Sequence, residues 1–234
     1  MEKALALNRH EWRKVRPAAF KGFSLLYLGD EFCGQLLPEL ADFKRAAGIF
    51  PGRTILLTPL LTDPEIDAIE RIIRDCSSPK NRIEIVVNDL GLLDLIRERY
   101  AGRVRVTLGR IFGHWIKVMP PVFARKFIKT NGVARIDIDD PSLPGRFSHF
   151  PGLKLSFRSP FRYLSATRFC PWERHWPGPC AASCQGRMTQ IRHSRLPQTL
   201  LLKGSAYGIR NAVIPAHPMI DRVVMEKLPP RGKQ

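Results

Sequence analysis

The first two-thirds of the chain repeat one unit: a short apolar run, a break, then a segment with apolar residues at helical spacing. Phe23–Gly29, Arg53–Thr58, Arg82–Asn88 and Val104–Leu108 are the apolar runs, each of a length that suits a buried strand. Between the first two, residues 34–47 place Leu36, Leu37, Leu40, Phe43 and Ala47 on one helical face, and Gly48 supplies the stop. Asp63-Pro64-Glu65 opens a helix to about Asp75, with Asp63 as N-cap and Pro64 in the first turn; Asp89 opens another to Tyr100. The rhythm then loosens. Residues 120–130 are expected to be helical; Val133–Asp139, Leu153–Phe157, Thr199–Lys203 and Ile220–Glu226 read as strands; 170–198 reads as irregular.

Repeated strand–helix units require a mostly parallel sheet. About eight strands suggest a barrel, and a complete (β/α)₈ barrel typically takes about 250 residues. With 234 residues and little room for helices in the second half, the expected fold is α/β, an incomplete or irregular TIM-like (β/α) barrel. A doubly wound open sheet is the alternative, but no GxGxxG loop follows any strand. The expected organisation is an N-terminal extension at 1–22, a single barrel-like domain at 23–226 carrying a Cys-rich loop at 168–187, and a polar tail at 227–234.

Apolar residues make up 44% of the chain, which excludes a disordered protein. No apolar stretch is long enough to span a membrane, and the first ten residues lack a signal core, so a cytoplasmic location is expected. Thiols stay reduced there, so the five cysteines point to metal or redox roles before disulfides. A formal charge of +17 would attract RNA, an anionic lipid surface or an acidic partner.

Cys170, Cys180 and Cys184 fall within fifteen residues, and thiolates are preferred ligands of soft metals. Cys33 is the best candidate for a fourth ligand. Four thiolates suit an iron–sulfur cluster or a structural zinc; buried free thiols are the bland alternative. Pro171, Pro177, Gly178 and Pro179 keep the segment from becoming helix, and Arg168, Arg174 and Arg187 would offset a cluster's negative charge. His175 is a further ligand or proton donor, or simply a loop residue. Cys76 reads as a bystander. In such barrels functional groups gather at the C-terminal ends of the strands. Asn88, Arg110 and Asp139 sit there and are candidate substrate contacts, with helix capping or ion pairing as their alternatives. No histidine lies in a GxSxG or HExxH context.

These residues carry a family likeness. Tyr27-Leu-Gly-Asp-Glu-Phe-Cys33, Val86-Val-Asn-Asp-Leu-Gly91, Leu108-Gly-Arg110, Pro160–Cys170, the Cys180/Cys184 pair, Leu202-Lys-Gly-Ser-Ala206 and Ile220–Val224 together resemble peptidase family U-32, the collagenase-like group. The lack of a further C-terminal domain makes the chain similar to its short UbiU/UbiV-like branch. The resemblance implies a barrel-like fold and a [4Fe–4S] cluster on Cys33, Cys170, Cys180 and Cys184. It implies a part in oxygen-independent hydroxylation, of a ubiquinone-type ring or of RNA bases, as one half of a heterodimer with a homologous protein. Other members are described as peptidases. Ser205 stands where the family often has asparagine, and Ile111–Pro121 departs from its usual pattern.

Overall fold

The computed structural model describes residues 1–228 apart from 177, 179 and 212. Eight parallel strands close a barrel in the order β1-β12-β7-β6-β5-β4-β3-β2, with β1 hydrogen-bonded to both β12 and β2. The strands are β1 (Glu2–Leu7), β2 (Leu25–Gly29), β3 (Arg53–Leu57), β4 (Ile83–Val87), β5 (Val104–Leu108), β6 (Val133–Ile138), β7 (Lys154–Ser159) and β12 (Ile220–Glu226). The fold is therefore a TIM-like α/β barrel, complete in its strands and irregular in its helices. The expected N-terminal extension at 1–22 is corrected: its first residues are a barrel strand, registered from Glu2 against Arg222 to Ala6 against Glu226.

The helices follow the strands they cover: α1 (Arg9–Lys14), α2 (Leu40–Ile49), α3 (Asp63–Cys76), α4 (Leu90–Arg99), then α5 (Arg110–Val118) and α6 (Pro121–Thr130) in succession. Asn8 caps α1 and Asp89 caps α4 through their side chains. Thr62, one residue before the expected Asp63, caps α3 in a capping box with Glu65. The α2 expectation splits, because Pro38 breaks the run into a 3₁₀ turn at Gly34–Leu36 and a helix that continues through Gly48 to Ile49. Between β6 and β7 no α-helix forms; Leu143, Phe147, Phe150 and Leu153 from an irregular segment fill that place in the core.

Strand alternation sorts the side chains. Leu5, Leu26, Leu56, Ile85, Val106, Ile136 and Leu155 pack under the helices in one large core. Ala4, Ala6, Leu25, Tyr27, Ile55, Leu57, Val86 and Val224 form a second cluster within the barrel. Where β12 follows β7, the chain makes an excursion into an antiparallel sheet of β8 (Phe161–Ala166), β9 (Thr189–Ile191), β10 (Leu200–Lys203) and β11 (Ala206–Arg210), in the order β8-β11-β10-β9. Thr199–Lys203 thus belongs to this sheet and not to the barrel.

Candidate metal centre

Cys33 follows the C-terminal end of β2, and Asp30 fixes it there by accepting hydrogen bonds from the Phe32 and Cys33 amides at 2.8 and 3.0 Å. The other three cysteines of the site lie between β8 and β9. Glu173 organises that segment: its carboxylate accepts from the Ala181 and Ser183 amides at 3.1 and 2.9 Å and lies 3.2 Å from His175 Nε2. These bonds hold the Glu173 carboxyl down at about 2, the Ser183 amide being the largest cause. The Cys170 amide donates to the His175 carbonyl at 2.8 Å, and Trp172 Nε1 donates to the Gly204 carbonyl at 2.7 Å, tying the segment to the small sheet. Arg174 and Ala182 take left-handed backbone conformations, at φ 56° and 59°. Pro177 and Pro179 lie outside the described residues.

The four thiols line two adjoining cavities over the barrel mouth. Cys33, Cys170 and Cys180 line one cavity of about 90 Å³ with Phe32, Ile111 and His175; Cys184 lines the adjoining one, of about 50 Å³, with Asp30, Glu31 and Lys203. Burial pushes the Cys33 thiol up to about 12, with the Asp30 carboxylate adding to it, and both Cys180 and Cys184 contribute further. Cys184 is pushed up to about 11, again by burial first, with Cys180 and Cys170 among the neighbours that raise it. Two sulfurs already receive N–H groups: Cys180 from the Ala182 amide at 3.3 Å and Cys184 from Gln185 Nε2 at 3.6 Å. The set is loosely gathered. Among the described residues no group of three or more His, Cys, Asp or Glu is drawn together around one ion position. A single zinc would bring its ligand sulfurs to about 2.3 Å from one point, whereas a four-iron cluster spreads four thiolates over a larger body. Thiolate donors are common to both centres, and the arrangement favours neither.

Beneath the thiols lies a feature that sequence reasoning did not find. Glu31, Arg110, Arg158 and Glu226 form a closed ionic ring with almost no exposure. Glu31 Oε2 pairs with Arg110 Nε at 2.6 Å and Arg158 Nε at 3.3 Å; Glu226 Oε1 pairs with the same two guanidiniums at 2.7 and 2.8 Å. Asp137, Asp139 and Lys203 extend it. The two arginines and Lys203 hold the Glu226 carboxyl far below the usual range despite its burial. The nearest signal was the Asp30-Glu31 pair at the end of a strand, but its arginine partners lie far along the chain.

The expected substrate contacts are all part of this buried frame. Asn88 donates to the Thr58 carbonyl at 2.8 Å and accepts from the Ile111 amide at 3.1 Å, which braces the start of α5. Arg110 spends every guanidinium nitrogen on Glu31, Asp139, Glu226 or the Phe161 carbonyl. Asp139 accepts from the Tyr163 amide at 2.7 Å, and its Oδ1 has no partner. Ion pairing and bracing are what the geometry gives these three, and Arg110 also reaches a cavity wall. His175 is likewise engaged, its Nδ1 lying 2.5 Å from the Trp176 carbonyl. Cys76 is half-buried at the end of α3, packed against the main core. Among the described residues no histidine hydrogen-bonds a thiol or a serine hydroxyl; the Cys180 thiol donates instead to the Glu173 carboxylate, at 3.7 Å.

No family model matches the chain, and no curated protein is similar to it. A solved structure, that of the U32 peptidase Mk0906, is similar over 98% of this chain and 94% of its own, with a TM-score of 0.52 and 14% sequence identity. At that identity the likeness is one of fold.

Proposed function

We propose that this chain is an iron–sulfur protein in which Cys33, Cys170, Cys180 and Cys184 hold a [4Fe–4S] cluster, and that it acts in or assists an oxygen-independent hydroxylation of a ubiquinone-type ring, as a cytoplasmic member of the short UbiU/UbiV-like branch. One observation supports this reading: four thiols from two separate parts of the chain line adjoining cavities at the C-terminal face of the barrel. When bound, the cluster would supply one-electron chemistry. The residues around it do the rest. The Ala182 amide and Gln185 side chain direct N–H groups at sulfur, which favours the thiolate and raises a cluster's potential. Phe32, Ile111 and Leu60 give the cavity an apolar wall. The ionic ring fixes the floor, so the space between it and the thiols keeps its shape as ligands come and go. Trp176, 69% exposed and in edge contact with Phe169, offers a surface for a homologous partner beside the cysteine segment.

Anaerobic purification with iron and acid-labile sulfide analysis tests the reading, together with a visible spectrum and EPR after reduction. Equal iron and sulfide, lost when Cys180 or Cys184 is replaced by serine, is the expected result. Zinc without sulfide, or no metal in protein kept from air, would overturn it. The +17 charge favours RNA as a second reading of the substrate; retention on RNA that falls steeply with salt would support it. The peptidase reading has no such support, because among the described residues no histidine hydrogen-bonds a thiol or a serine hydroxyl.

A further inference from the structure

From Arg99 to Ile136 the sequence has no aspartate or glutamate and nine lysines and arginines. Within that stretch α5 meets α6 at a corner whose apolar side chains face outward. Trp115 is 45% exposed, Val118 77%, Val122 75% and Phe123 65%, with Pro120 and Pro121 exposed between them. Ordinary folding would turn such residues inward. Here Phe112, Ile116, Ala124 and Ile128 already supply the buried faces of both helices, so the outward set is surplus to the core. Arg125, Lys126 and Lys129 are exposed directly beside it, and among the described residues none pairs with an acid.

We propose that this corner docks on an anionic lipid surface. An apolar wedge with tryptophan and phenylalanine, flanked by Arg125, Lys126 and Lys129, matches the boundary between acyl chains and negatively charged headgroups; the one acid on the adjoining cavity wall among the described residues, Asp94, is paired with Arg97. Each lysine or arginine near such a surface contributes about 1 kcal/mol, roughly fivefold in partition. Val118 and Val122 decide against RNA as the occupant, because aliphatic side chains gain nothing from phosphate or sugar, whereas they gain on leaving water for lipid. No helix of the described residues is long and apolar enough to cross a membrane, so the contact is peripheral. It is independent of the metal centre.

The test is flotation of the whole chain with phosphatidylcholine vesicles, with and without phosphatidylglycerol. Flotation is expected only with the anionic lipid. Val122→Ser combined with Phe123→Ser should lower the partition at least about tenfold, as should Arg125→Glu combined with Lys126→Glu. Both pairs are exposed, and an unchanged thermal midpoint would show that each variant is folded. No flotation of the parent protein overturns the proposal. So does flotation that survives the apolar pair of changes, which would mean charge attraction alone. Light scattering that shows a dimer lost in the apolar variant, without lipid binding, would reassign the corner to a second copy. RNA retained through Arg125 and Lys126 while vesicles leave the protein unbound would reassign it to RNA.

Discussion

The barrel mouth and the cysteine segment above it are held by different forces. In the mouth, Glu31, Arg110, Arg158 and Glu226 are shut away from water, and each charge depends on at least two others. In the segment, Glu173 and a few amides hold a half-exposed chain by hydrogen bonds over short sequence distances. Removing one partner from a buried ionic set leaves an uncompensated charge, so the mouth is rigid and intolerant. The segment can adjust its sulfurs around a ligand without disturbing the barrel. A rigid floor under an adaptable clamp lets one part fix position while the other fits.

The sharpest break of that contrast is Glu31→Ala. It strips Arg110 and Arg158 of a shared carboxylate, and denaturant unfolding should show a loss of about 3–5 kcal/mol or no folded protein at all.

Next comes Asp137→Asn. Burial raises the folded Asp137 carboxyl to about 6, against an ordinary value near 3.8. The folded state therefore holds this proton more tightly than the unfolded chain. The stabilisation is complete below about pH 4 and is lost as pH rises through about 6. Between those values the parent protein should lose on the order of 3 kcal/mol more than the asparagine variant, which cannot ionise. Parallel stability curves would break the reading of Asp137 as a desolvated carboxyl.

A smaller effect is expected for Gly109→Ala. A Cβ there would stand 2.2 Å from Asn88 Nδ2, so Asn88 must give up its bracing position, at a cost of about 1–3 kcal/mol. The least effect on global unfolding is expected for Glu173→Gln. The thermal midpoint should hold, while limited proteolysis within 170–187 quickens and metal retention falls. A large drop in the midpoint instead would show that the segment and the barrel are one cooperative unit.

The strands that could be read directly were those buried on both faces. Leu25–Gly29 and Ile83–Val87 are nearly unbroken apolar runs, and the structure keeps them within a residue or two of their expected ends. Glu2–Leu7 escaped notice because its inward residues, Ala4 and Ala6, are small; they leave room in the barrel that larger side chains from other strands occupy. Phe161–Ala166 escaped for the opposite reason. Its outer half, Leu164-Ser165-Ala166, is exposed, so no alternation of buried and solvent-facing residues stands out. The cysteines were visible because their chemistry is rare and their spacing close. The ionic ring was not, since Glu31 and Arg110 are 79 residues apart and nothing local to either announces the other. Sequence reading also offered Asn88, Arg110 and Asp139 as candidate substrate contacts because they end barrel strands, with helix capping or ion pairing as the alternatives. Position alone does not distinguish a side chain facing the mouth from one tied beneath it.

The pairing of β1 with β12 also bears on how the molecule comes into being. Glu2 reaches Arg222 across 220 residues, at 3.0 Å, and β1 has β12 as one of its two neighbours. A ribosome releases β1 first, and its second neighbour does not exist until Ile220–Glu226 has emerged. Through nearly the whole of synthesis β1 or β7 therefore presents an open edge, the kind of edge that recruits strands from other chains. The cysteine segment is also made before β12, so its thiols leave the ribosome while the cylinder is still open.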